Sequence, residues 1–126
     1  MILRSIYQSA QQLLASKVLG TPHPAGRRAR LEAAQQAFDD YDTTVVLPLL
    51  GHARGLPQGM NFVDAARAIP DAAIQRHYCM LVIGVLDANI ALYEGDAAFS
   101  SATRGWRKMA ADLARVSDSA ADRGIP

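Results

Sequence analysis

Apolar and polar positions follow a helical period along most of the chain, most densely between Tyr78 and Tyr93. Ile74, Tyr78, Leu81, Val85, Ala88 and Leu92 step by four and three. Cys79, Ile83, Leu86, Ile90 and Tyr93 make a second seam with the same steps. Each seam needs its own partner helix. A helix apolar over more than half its circumference belongs at the centre of a fold, so a central helix is predicted over residues 71–94.

The other elements fall around it. Residues 2–19 read as a first helix, with Leu3, Ile6, Ala10 and Leu13 as its stripe and Gly20 as its stop. TPHPAG, residues 21–26, is a connector, because two prolines cannot continue a helix. A second helix starts near Arg27 and carries Leu31, Ala34, Phe38, Tyr41 and Val45; Asp39, Asp40 and Asp42 mark its solvent side. Pro48, after the β-branched run Thr43–Val46, predicts a kink or an end, with Leu47, Leu49 and Leu50 still inside. A short strand at 44–47 competes, although no partner strand is in sight.

Residues 51–60 read as a loop. Asn61 is a cap for a short third helix over Phe62–Ile69, which Pro70 ends. Asp96 is the N-cap of a fifth helix, along which Phe99, Ala102, Trp106, Met109, Leu113 and Val116 keep a heptad spacing. Residues 119–126 lose that period and are expected to fray. The sum is one domain of an all-α class, an antiparallel four-helix bundle with one extra short helix. The heptad steps favour axes roughly 20° apart.

Composition narrows function mainly by exclusion. At 126 residues with half of them apolar, one domain can bury its own core. The net charge of +1 supplies no basic face for nucleic acid. Arginine outnumbers lysine heavily, which suggests a GC-rich bacterial genome. Cys79 is the single cysteine, so no intrachain disulfide forms, and a thiol inside an apolar run fits a reducing cytoplasm. No apolar run reaches the ~18 residues of a membrane span, and the N-terminus lacks the layout of a signal peptide.

Catalytic motifs are missing. There is no Gly-rich phosphate loop, nucleophile elbow, HExxH or CxxC, so neither a catalytic residue nor a metal or other cofactor is expected. The histidines, His23, His52 and His77, include no helical i, i+4 ligand pair. Asp39, Asp40 and Asp42 lie too close in sequence to share one direction, and Arg27, Arg28 and Arg30 serve solubility as well as they would bind phosphate.

Two constellations remain. On the narrow face of the central helix, Gly84 and Ala91 let another backbone approach, with Asp87 as an edge contact. With Trp106 of the fifth helix these are the candidate partner-binding residues, although Trp106 at heptad spacing fits ordinary core better. The expected function is then non-enzymatic: binding another protein, as an export chaperone, adaptor, immunity protein or assembly factor, or binding a second copy of itself. The alternative is a small-molecule- or metal-binding bundle or a minor enzyme, with its pocket between helices lined by Tyr78, Asn89 and His77. Asn89 falls inside the apolar arc, where an amide needs partners. A structural amide bonded to a neighbouring helix is the plainer reading of it.

Overall fold

The structure is a computed structural model, and it describes residues 25–51 and 59–124. Helix α1 spans Ala25–Tyr41 and passes through a π-helical turn, Asp42–Val46, into α2, Leu47–Leu50. Helix α3 spans Phe62–Ala68 and α4 spans Ala72–Tyr93. A 3-10 turn at Ala97–Phe99 leads into α5, Ser100–Gly124. All regular elements among the described residues are helical, and they pack as an all-α bundle. The helix expected over 2–19 and positions 21–24 of its connector lie outside the described residues, as do positions 52–58 of the loop, while positions 25 and 26, expected in the connector, are already the first turn of α1.

Local chemistry sets the boundaries. Asn61 and Asp64 form a reciprocal capping box at the start of α3, and Asp71 caps α4 through the Ile74 amide at 2.9 Å. Gly51 ends α2 at φ 74° and Gly95 follows α4 at φ 84°, backbone states that favour glycine. The competing strand at 44–47 is replaced by the π-turn. Pro48 has no N–H to offer the carbonyl one turn back, and its ring needs room there; a wider turn supplies that room. The Thr43 and Thr44 hydroxyls donate to the Asp39 and Asp40 carbonyls at 2.7 and 2.6 Å, bonding of the kind that bends helices. The helix therefore passes Pro48 without stopping and runs on to Leu50, with Leu47 buried and Leu49, expected inside, 45 % exposed.

Helix α4 is central, packing against α1, α3 and α5. Opposite ends meet along α1 and α4: Arg27 bonds the Ala91 carbonyl, while Phe38 lies 5.9 Å from the Tyr78 ring. The same holds along α5, whose Arg123 bonds Gln75 and whose Trp106 lies 6.0 Å from Tyr93. Leu31, Phe38, Val46, Phe62, Val82, Leu86 and Leu113 are fully buried. Each such side chain stabilises the fold by about 1.5–3 kcal/mol.

Two faces differ from the sequence reading. Along α1 and the π-turn the buried stripe is Leu31, Gln35, Phe38, Asp42 and Val46. Ala34, Tyr41 and Val45 are only half-buried, and Asp42, expected on the solvent side, is 1 % exposed. Two inward polar residues rotate the stripe, and counting apolar positions cannot see them. On α5 Ala102 is exposed and Thr103 takes the inward place, its hydroxyl donating to the Phe99 carbonyl at 2.7 Å. Beyond Val116 the helix continues through residues 119–124, with Ala120 fully buried.

Candidate functional site

Three sides of α4 offer three environments. The side facing α5 is dry. Tyr93 stacks on Phe99 at 4.2 Å, Trp106 is 3 % exposed beside them, and Leu86 and Leu113 fill the middle. Trp106 is therefore a core residue, set by the inward seam of α5.

The side facing α1 carries buried polar groups. Gln35 spends its amide N–H on Asp39 at 3.0 Å, and its Oε1 has no partner among the described residues. Asp42 opens the π-turn beneath Tyr78. Burial pushes the Tyr78 phenol well above its ordinary pKa, and the Asp42 charge adds to the shift. Asp42 thus acts on Tyr78 as a nearby negative charge. The Tyr78 hydroxyl has no partner among the described residues. Asn89 is fully buried and both of its amide atoms are likewise without one. An unsatisfied buried amide costs about 1–3 kcal/mol.

The alternative ligand set does not converge. Tyr78 and Asn89 stand eleven residues apart, about 16 Å along the axis. His77 is exposed on another side, its ring edge-on to Tyr41 at 4.4 Å. Burial also raises the Cys79 thiol, to about 11. No group of three His, Cys, Asp or Glu side chains among the described residues is placed to hold a metal ion.

Among the described residues, the third side of α4 is open. Met80, Gly84, Asp87 and Ala91 step along it by four, three and four. Met80 is 61 % exposed, and a Cβ added at Gly84 would meet nothing within 4 Å. Asp87 is exposed; Ala91 is half-buried, and its carbonyl accepts from Arg27 at 3.1 Å. Exposed Arg76 and Glu94 stand at the two ends, so the strip runs from a positive to a negative end. Gly84, Asp87 and Ala91 are thus brought together on one surface, while Trp106 lies elsewhere.

Sequence reasoning passed over Gln35 and Gln75 and placed Asp42 on the solvent side. Gln75 is 4 % exposed, and its amide donates to the Ala66 carbonyl at 2.6 Å, tying α4 to α3. Comparison with known proteins finds no matching family model, no similar curated protein and no similar solved structure. No described helix is long and apolar enough to cross a membrane.

Proposed function

We propose that the chain is a non-enzymatic helical module that binds a partner protein in a bacterial cytoplasm, in the manner of a chaperone, adaptor, immunity or assembly factor. The observation that carries this reading is Met80. It is a long apolar side chain 61 % exposed, one turn from the open space at Gly84. A flexible thioether suits a surface that must fit another molecule. The occupant is an amphipathic helix of the partner, with small apolar residues over Gly84. Charge along the strip orients it: a Lys or Arg of the partner lies over Asp87 and Glu94, and an acid lies toward Arg76.

A photo-crosslinking residue at position 80 tests this, with one at exposed Glu32 of α1 as the control. A discrete protein adduct from position 80 in the native cell, missing from position 32 and lost on Gly84→Leu, is the expected result. Equal adducts at both positions, or none, refute the strip. A second reading is favoured by Asn89, whose buried amide would suit a polar small molecule between α1 and α4. A metabolite that raises the melting temperature of the wild type but not of Asn89→Leu would move the function there.

A further inference from the structure

A groove of about 440 Å³ lies where α3, α4 and α5 meet, lined by Arg67, Gln75, Arg115, Val116, Ser119 and Arg123. Its volume falls in the range of small-molecule sites. Three of the six lining residues are arginines and none is an acid. Arg67 comes from α3, whereas Arg115, Ser119 and Arg123 share one face of α5 at steps of four. Guanidinium groups facing one space repel each other, at a cost that an anion between them removes.

Two of the arginines are already partnered in ways that matter here. Arg115 pairs with Asp112 one turn away, a surface ion pair that takes part of its charge. Arg123 donates to the Oε1 of Gln75. Gln75 is itself fixed, because its amide is spent on the Ala66 carbonyl. The buried glutamine therefore aims Arg123, which keeps further N–H donors for a ligand. Arg67 is exposed, and its side chain makes no hydrogen bond or ion pair among the described residues. Ser119 adds a hydroxyl between the two positions on α5.

We infer that this groove binds a compact phosphate-type oxyanion carrying more than one charge, held between Arg67 and Arg123 with Ser119 donating a third contact. Guanidinium forks match phosphate oxygens in pairs, which favours this ligand over a single halide or a flat apolar molecule. The site lies apart from the Met80 strip, so either proposal can fail alone.

Inorganic pyrophosphate is the first probe, read by calorimetry and by the shift in melting temperature on the full chain, with inorganic phosphate and citrate alongside. Pyrophosphate is expected to bind more tightly than phosphate and to raise the melting temperature. Arg67→Gln/Arg123→Gln, checked to be folded by circular dichroism, should bind pyrophosphate at least about tenfold more weakly. Arg115→Gln should lose less, because Asp112 already shares its charge. Gln75→Leu should weaken binding while leaving both guanidiniums present. If that variant unfolds, Arg67→Lys/Arg123→Lys replaces it, keeping the charge but losing the forks, and should fall between wild type and the double Gln variant. No pyrophosphate binding, binding unchanged in the double Gln variant, or citrate binding as tightly as pyrophosphate would overturn the assignment.

Discussion

The two flanks of α4 solve opposite problems with the same helix. Toward α5 it presents Val82, Leu86 and Tyr93 to Trp106, Leu113 and Phe99, all at or below 3 % exposure. Toward α1 it presents Tyr78 and Asn89 while α1 contributes Gln35 and Asp42, all at or below 9 %. The dry flank draws its stability from area removed from water and from close fit. The polar flank buries the same kind of surface and offsets part of the gain with desolvated oxygen and nitrogen atoms. It also holds the π-turn, a feature that often accompanies functional positions. The difference is one of cost: the dry flank gains from burial alone, whereas the polar flank also carries desolvated polar atoms without partners among the described residues.

Truncation should separate the flanks most sharply. Leu86→Ala on the dry flank empties a fully buried site and is expected to cost about 2–5 kcal/mol in denaturant unfolding. Trp106→Ala should cost about 3–5 kcal/mol. A loss below ~1 kcal/mol at both would mean that α5 does not dock as described.

The polar flank should respond the other way. Asn89→Leu removes two desolvated atoms without partners among the described residues, so the expected change is neutral to a gain of about 2 kcal/mol. A loss of similar size would show that the amide has a partner and would strengthen the pocket reading.

Alkali offers a smaller probe of the same difference. The Tyr78 phenol and the Cys79 thiol are both raised by burial. Their stabilising share is full below the unfolded pKa values and falls as pH climbs past them, because the unfolded chain then releases protons that the folded chain keeps. Cys79 therefore contributes a loss between its ordinary 9.0 and about 11, and Tyr78 adds to it above 10.0. The slope is about 1.4 kcal/mol per pH unit for each group while it differs in protonation. Tyr78→Phe should flatten the loss above pH 10.0 and, since the hydroxyl has no partner among the described residues, cost less than about 1 kcal/mol near neutrality. Unchanged alkaline sensitivity in that variant would contradict a buried neutral phenol.

The smallest effect belongs to the open side. Gly84→Ala sits mid-helix with free space around the new methyl. It should stabilise the fold by about 0.5–1 kcal/mol, checked by the midpoint of thermal unfolding. A destabilised variant would show that another part of the chain already covers the strip.

Much of this was legible in the chain. The periods around Tyr78–Tyr93 marked α4 as central, Asn61 and Asp71 marked helix starts, and the stretch before Pro48 was marked as irregular, where the π-turn lies. Residues 84, 87 and 91 were legible as one face because fixed helical steps place them there. The rest depended on polar residues turned inward. Gln35, Asp42, Gln75 and Thr103 interrupt the apolar count at four places where the helix nonetheless faces the core. Gln35 and Thr103 bond locally, to Asp39 and to the Phe99 carbonyl, whereas Gln75 turns inward to reach Ala66 and Arg123 on other helices. The arginine groove was hidden for the same reason: its members come from three helices, and only packing brings them to one space.

The open side of α4 is tested most directly by native mass spectrometry of the tagged protein, gently purified from its own host, beside its Gly84→Leu variant. A partner of protein mass at fixed stoichiometry on the wild type, missing from an equally folded variant, is the expected result. The same partner on both proteins, or none on either, would contradict binding along the strip from Met80 to Ala91.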